Sequence, residues 1–563
     1  MKRRQETQED NTKKPSRSQF EDLSNELLHE IFDYGDFCLM YDIFLNLNSR
    51  FRSLLTQRSF LLNINFPLKS KSVYERQCKE IIQPNTTQIS WLKITKQFLE
   101  FFTIDRFSSL KTLITQHIPP DRIITLLQQL RSLPNFSSLS IESSDYFQDL
   151  NVIYLSLFQL TKLKYCHFKY PHGGNRVPLA LAVDPRQILE HLIIDGHCRL
   201  DQLVAILSYL PRLKHLSCNQ LYGAHYDEMK TSINLTTIRF KLHALEFHDL
   251  KLFLVNVSSR LKILRIWKTG DDDYLRAKGW EELIEHYMPC LDTFDFQYSN
   301  SANFDTQQKL VQEFSSKFWI DRNWFFDYYY YYDSQVDDEC YFNFFSIIPY
   351  RYEQFKLHEN FKTHHRINYA RHVEIEGCSE AEKCTVQFPC VKELTLHDVK
   401  DVSWHACSIK SIIPLLQISK LYIKDENLPI KKLISLLQDF PNVESLKLFS
   451  LPKMSVKQSS VFSLVPVNNR ITRVKVYEEC DMKDLKLINH MCPRVEHLRI
   501  CIDESHLGTI LEFLLLNAKH LFLLVLSHVN YDVVERVQAI IVKKKLIENY
   551  SVERNHGKLY LWR

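Results

Sequence analysis

The chain has 563 residues, 45% of them hydrophobic and 25% charged, with a formal net charge of only +4. That balance argues against nucleic acid or an anionic membrane surface as a partner, while the length allows either several globular domains or one extended repeat array. No apolar h-region follows Met1, and no apolar run approaches the roughly 18–20 residues that span a bilayer. The expectation is a soluble protein of the cytoplasm or nucleus, in which the 14 cysteines, with no C-x-x-C pair among them, are mostly small buried side chains.

Residues 1–19 carry Lys2, Arg3, Arg4, Lys13, Lys14 and Arg17 among polar neighbours and read as a disordered basic arm. Residues 20–66 read as a compact helical hook. Leu23, Leu27, Leu28, Ile31 and Phe32 recur at helical spacing, with Asp22 or Ser24 available as the N-cap and Glu26 in the first turn. A second stripe (Tyr41, Ile43, Phe44, Leu47) and a third (Phe51, Leu54, Leu55) follow, with Asn48 at the break. Three short helices cannot bury all of these side chains by themselves, so some must be covered by the rest of the chain or by another protein.

The run Leu23-Ser24-Asn25-Glu26-Leu27-Leu28-His29-Glu30-Ile31-Phe32, closed by Arg50-Phe51-Arg52-Ser53-Leu54-Leu55, resembles an F-box. Ser24 stands where that family usually has Pro, and Gly35 where it usually has Leu. The resemblance implies docking on a Skp-type adaptor of a cullin-RING ubiquitin ligase through Leu23, Leu27, Leu28, Ile31, Phe32 and Leu54. The competing reading of the same residues is a helical cap on the following domain.

Residues 67–129 read as a linker and cap. From there the chain repeats itself. In Pro441-Asn442-Val443-Glu444-Ser445-Leu446-Lys447-Leu448, apolar residues stand two, five and seven positions after Pro, and the same frame recurs after Pro134, Pro211, Pro289, Pro389 and Pro493. Pro-less versions include Leu163-Cys166-Phe168, Leu189-Leu192-Ile194, Leu242-Leu245-Phe247, Leu261-Leu264-Ile266, Ile418-Leu421-Ile423, Ile471-Val474-Val476 and Leu521-Leu524-Leu526. The period of about 24–28 residues lies in the range of leucine-rich repeats. Each frame alternates as a half-buried strand does, and several follow a helical stripe that stops at the Pro. The array resembles the leucine-rich repeats often joined to an F-box, in degenerate form: the ladder Asn or Cys of that family is absent at Val399, Leu451 and Asp503.

The expected fold class is therefore α/β, a three-helix F-box followed by a leucine-rich-repeat-like βα solenoid. Its N-terminal half covers 130–298 and its C-terminal half and cap 368–563. Between them, residues 299–367 form an aromatic-rich insertion whose Tyr328 to Tyr332 run has no amphipathic period and is expected as an exposed loop or an interlobe brace. Phe355 and Leu357 fit one more worn repeat.

Chemistry-bearing motifs are missing. Only 10 glycines occur, with no phosphate-cradling loop, and neither H-E-x-x-H nor G-x-S-x-G is present. Asp271-Asp272-Asp273 reads as a solvated turn, and Cys378, Cys384 and Cys390 with His364, His365 and His372 lack zinc-site spacing. The sequence calls for no cofactor, no metal and no catalytic residue. Outward positions of the later repeats instead line up as Lys420-Tyr422-Lys424, Ser445-Lys447-Phe449, Arg473-Lys475-Tyr477, His497-Arg499-Cys501 and Leu523-Val525-Ser527. Tyr422, Lys447, Phe449, Lys475, Tyr477 and Arg499 are thus the candidate target-binding set, suited to an acidic or phosphorylated partner segment. Two functions fit these features: the substrate-recognition subunit of an SCF-type ubiquitin ligase, or a non-catalytic repeat scaffold with no ubiquitin link.

Overall fold

The computed structural model describes residues 20–34, 37–56, 61–66, 69–171, 179–183, 187–223, 233–333, 339–357, 367–376, 384, 386–397, 399, 409–426, 428–452, 469–555 and 557–563. The N-terminal arm and Gly35 lie outside them. The hook folds as α1 (Asn25–Tyr34), α2 (Phe37–Phe44) and α3 (Ser49–Thr56). Ser24 Oγ accepts from the Leu27 N–H at 3.4 Å, and Asn48 Oδ1 from the Phe51 N–H at 3.0 Å, so both polar breaks act as helix caps.

Ten strands then follow: β1 (Leu62–Asn65), β2 (Ile89–Thr95), β3 (Thr112–Ile118), β4 (Ser138–Ser143), β5 (Tyr165–Lys169), β6 (His191–Arg199), β7 (His215–Tyr222), β8 (Thr237–His243), β9 (Ile263–Thr269) and β10 (Thr293–Ser301). Each pairs in parallel with the next in chain order, and the antiparallel hairpin of β11 (Phe325–Asp333) and β12 (Glu339–Ile348) completes a 12-stranded sheet by pairing β12 with β10. A second sheet of 10 strands starts at β13 (Gln354–Leu357) and continues through β14 (His372–Glu376), β15 (Glu393–His397), β16 (Lys420–Ile423), β17 (Ser445–Leu448), β18 (Arg473–Glu479), β19 (His497–Cys501) and β20 (Leu523–Ser527). It too ends on an antiparallel hairpin, β21 (Ser551–Asn555) and β22 (Lys558–Trp562), with β22 against β20. The class is mixed α/β with two predominantly parallel sheets.

The apolar frame explains the register. Leu113, Leu139, Cys166, Leu192, Leu216, Ile238, Leu264 and Phe294 are direct partners strand by strand, as are Val373, Leu394, Leu421, Leu446, Val474, Leu498 and Leu524. All are buried. A one-residue slip would turn a whole strand's apolar set to solvent, which fixes the pairing. Between strands run helices such as Pro120–Leu130, Leu200–Ser208, Ala277–Tyr287, Ile430–Asp439 and Met482–Met491, whose apolar sides enter the same core. The last carries a capping box: Asp481 accepts from the Lys483 and Asp484 N–H groups, and Asp484 accepts from the Asp481 N–H.

A second repeated device ties each unit to the next. One carbonyl just before a strand accepts two successive N–H groups of the following unit: Glu190 O from Lys214 and His215, Lys214 O from Thr236 and Thr237, Ser419 O from Glu444 and Ser445, Glu444 O from Thr472 and Arg473. It pins the strand entries to one another without any side chain.

One frame requires correction. At Leu242-Leu245-Phe247 the strand is β8 and its frame is Leu235, Ile238 and Phe240, all buried, while Phe247 begins the helix Phe247–Val257. Both triplets obey the same spacing, and pairing of Ile238 and Phe240 with Leu216 and Cys218 selects the earlier one.

The two sheets meet at both ends. At one junction Asp295 of β10, 1% exposed, lies 2.9 Å from Arg265 Nε and 2.8 Å from Arg351 Nη1, the latter residue leading into β13. At the other, the Trp562 indole donates to Lys69 O and sets its ring edge-on to Tyr74 at 5.5 Å, Lys71 N–H donates to Arg563 O at 3.1 Å, and Lys96 pairs with Glu553.

Candidate functional site

The hook divides its apolar residues in two. Leu28, Phe32, Phe51 and Leu54 are buried inside it, with Phe20, Phe44 and Phe51 in mutual ring contact at 5.2–5.9 Å. Leu23 is partly buried against the same cluster. Arg50 holds the leading segment down by bonds to Glu21 O, Leu23 O and Asn25 Oδ1. Leu27 (48%) and Ile31 (36%) of α1 remain exposed, as do Ile43 (52%) and Leu47 (53%). Of the six adaptor-binding residues expected from the sequence, two therefore face solvent, three face the hook's own core and Leu23 lies between. Ile43 and Leu47 were visible in the second stripe, but periodicity alone does not say which side of a short helix the body covers. The body grips α2 from its other side: Asp42 accepts from Gln77 at 2.7 Å and pairs with Arg76 at 3.1 Å.

The second surface lies on the face of the second sheet that turns away from its helix-packed core. The registers β13 to β22 place Lys356, Glu374, Thr395, Tyr422, Lys447, Lys475, Arg499, Val525 and Tyr560 in one lateral row. Neighbouring members are about 4.8 Å apart along the sheet. The Tyr422 and Tyr477 rings stack at 5.5 Å, and Lys475 Nζ sits 3.5 Å from the centre of Tyr477. Phe449 is half-buried just past β17. All six sequence-predicted residues fall in this one patch. Lys558 and Tyr560 join it from the terminal hairpin, through the antiparallel return of β22 onto β20 that the sequence reading did not foresee.

The electrostatics divide along the row. Glu374 receives His397 Nε2 at 2.7 Å and Lys424 Nζ at 2.9 Å. Burial pushes its carboxyl up, but those two hydrogen bonds and the Lys424 charge prevail and hold it at about 2. Lys420 is paired with Glu393. By contrast no described carboxylate lies within ion-pair distance of Lys447, Lys475, Arg499 or Lys558. Burial lowers the Lys475 and Lys558 ammonium groups, and the surrounding cations lower them further. Tyr477 is pushed up by burial and pulled down more strongly by its hydrogen bond to Lys475 and by the Lys475 and Lys447 charges.

The remaining sequence candidates scatter. Asp271 caps its own turn by accepting from Asp273 N–H, Asp272 accepts from Tyr298 and Asn300, and Asp273 pairs with Arg276 at 2.7 Å, so the three carboxylates diverge. Cys384 is buried and Cys390 exposed, while Cys378, His364 and His365 lie outside the described residues. Among the described residues no His, Cys, Asp or Glu group is arranged to hold a metal ion, and no helix is long and apolar enough to cross a membrane. The five-Tyr run is part of strand β11, paired with β12. Compared with known proteins, the chain matches no family model and no curated relative.

Proposed function

We propose that the chain is the substrate-recognition subunit of an SCF-type cullin-RING ubiquitin ligase, working in the cytoplasm or nucleus. The hook is an F-box for a Skp-type adaptor, the two sheets form a degenerate leucine-rich-repeat solenoid that binds the target, and catalysis is supplied by other subunits, with no cofactor in this chain. The observation that carries the reading is the exposed apolar set Leu27 and Ile31 of α1, Ile43 of α2 and Leu47 in the turn after it, on a hook whose inner side is already filled. Exposed clusters of this kind mark protein contact. Leu28, Phe32 and Leu54 then support the contact from beneath. In the solenoid, the row from Tyr422 to Arg499 faces an acidic or phosphorylated segment of the target.

A second reading, a repeat scaffold with no ubiquitin link, is favoured by the clamp of Arg76 and Gln77 on Asp42, which is what a helical cap would need. Replacing Leu27 and Ile31 together by Asp in the full chain separates the two. The ligase reading expects co-purification with the adaptor to be lost while the circular dichroism of the sheets is unchanged. Adaptor binding that survives the double substitution, or is missing in the parent, leaves the scaffold reading.

A further inference from the structure

We infer that the cavity where the two sheets join is a binding site for a small, uncharged, amino-substituted nitrogen heterocycle of the adenine kind. The inference stands apart from the target row and from the ligase reading. Strand β12 makes the joint: its Phe342 and Phe344 enter the first core, while Phe345 and Ile347, on its other face, enter the second. Asn343 shares the face of Phe345 and opens, with Gln297 of β10, into a cavity of about 130 Å³ whose far side is formed by Phe355 and Lys356 of β13 and by His372 and Glu374 of β14. That is room for one aromatic ring system rather than for one water, which needs only ~10–15 Å³, and is close to the ~150 Å³ of a cavity that takes benzene.

The polar groups set the chemistry. Asn343 is only 8% exposed, yet its side-chain amide makes no hydrogen bond to a described residue, and neither does that of Gln297. A buried amide without a partner costs stability, so its place beside an open volume points to an occupant. Side-chain amides pair with an amino group next to a ring nitrogen, as Asn and Gln do when they read adenine. Glu374 adds an acceptor for the second amino hydrogen: His397 and Lys424 both bond its Oε1, and no described residue donates to Oε2. Charge excludes an ionic ligand, because Lys356 and Glu374 line the cavity with opposite signs. Burial lowers the His372 imidazole, whose Nε2 lies 2.8 Å from Thr395 Oγ1, so it adds no charge at neutral pH. The walls are aromatic and already in place. Tyr350 meets Tyr352 at 5.1 Å and Phe355 at 5.2 Å, edge-to-face in both cases, and its hydroxyl donates to Gln354 O. Rings braced in this way do not stack on one another into the space, and they leave it free for a flat ligand.

The test is titration calorimetry and thermal unfolding of the full chain with adenine. Comparison probes are hypoxanthine, with an oxo group in place of the amino group, unsubstituted purine, with neither, and benzoate, a flat anion. Adenine is expected to bind about tenfold or more tighter than any of the three and to raise the melting temperature as its concentration rises. Asn343→Leu should abolish the preference for adenine over purine. The same variant without ligand should melt at the parent's temperature or above it, because an apolar group of similar shape replaces an unbonded amide. Gln297→Leu should weaken adenine binding several-fold. An adenosine arm tells the source: binding as tight as adenine points to a nucleoside and weaker binding to the free base, and either supports the inference. Benzoate binding as well as adenine, an unchanged preference in Asn343→Leu, a lowered melting temperature of that variant without ligand, or no binding of any probe would overturn it.

Discussion

The two sheets furnish their exposed faces in opposite ways. On the exposed face of the first, rings pair with rings: His191 stacks on His215 at 4.1 Å, His197 on Tyr222 at 3.8 Å, and Tyr222 on His243 at 5.3 Å, with Trp267 beyond and Lys241 Nζ 4.0 Å from the Trp267 centre. Burial lowers the His215 and His243 imidazoles, and neighbouring charges add to it, so these two rings stay neutral at neutral pH. At the position of Lys447, Lys475 and Arg499 the first sheet has Ser217, Arg239, Arg265 and Asp295, so its cations have a carboxylate in their own row, whereas Lys447, Lys475 and Arg499 have no acid between them. A lateral ladder of stacked rings satisfies itself and strengthens the sheet. A lateral row of like charges does the reverse, which is why partner binding is assigned to the second sheet and a structural role to the first.

The comparison breaks most severely where the sheets are joined. Asp295 belongs to the first sheet, and Arg351 leads into the second. Burial pushes the Asp295 carboxyl up against the pull of Arg351 and Arg265, so the group sits in a costly place with its charges as compensation. Asp295→Ala strands two arginines and is expected to destabilise the protein by about 3–5 kcal/mol. Urea unfolding followed by intrinsic fluorescence measures it, and the two sheets should then melt in separate steps. A change within experimental error would mean that the junction does not couple them.

Much of this plan was legible because the sheet period of two and the repeat spacing act on the same residues: Leu446, Leu448, Leu498 and Ile500 could be placed inside from the Pro frame alone, and are buried. With the inner residues set, the outer row from Tyr422 to Arg499 followed. What escaped was set by long-range pairing. β1 to β3 lack the Pro frame, so residues 62–118 did not announce themselves as strands of the same sheet. The Tyr run joins a hairpin because Phe342 and Phe344 face it from β12, and Lys558 reaches the cation cluster only through the return of β22. The exposure of Ile43 and Leu47 likewise depends on Asp42 being the side that the body holds.

A smaller effect tests the acidic end of the row. Glu374 has a folded value of about 2 against 4.5 for the free side chain. A depressed carboxyl contributes stability that is complete above the unfolded value and is lost as pH falls through the folded one. Glu374→Gln is therefore expected to remove on the order of 2–3 kcal/mol at neutral pH and progressively less between pH 4.5 and 2. Denaturant unfolding at several pH values checks it. Parallel pH profiles for the parent and the variant would show that His397 and Lys424 do not hold this carboxylate.

The smallest effect carries the opposite sign and bears most directly on the difference between the sheets. Lys475 has one favourable partner, Tyr477, to which it hydrogen-bonds and whose ring it approaches at 3.5 Å, the ring contact being worth about 0.5–1 kcal/mol at a half-exposed site. Against it stand Lys447 and Arg499 on the adjacent strands and Lys558 nearby, each repulsive by a few tenths of a kcal/mol, up to about 1 for a direct cross-strand neighbour. The repulsions outnumber the attraction, so Lys475→Gln is expected to leave the melting temperature unchanged or raise it, although it deletes a visible contact. Salt separates the terms: the Debye length falls from about 30 Å at 0.01 M to about 8 Å at 0.15 M, which weakens the repulsion more than the close ring contact. The parent should therefore gain more thermal stability from added salt than the variant does. Lys241→Gln, whose cation lies over Trp267 in the first sheet, should instead lower the melting temperature slightly at every salt concentration. If both substitutions destabilise alike, the cations of the second sheet are as structural as the rings of the first, and the assignment of binding to one sheet loses its physical basis.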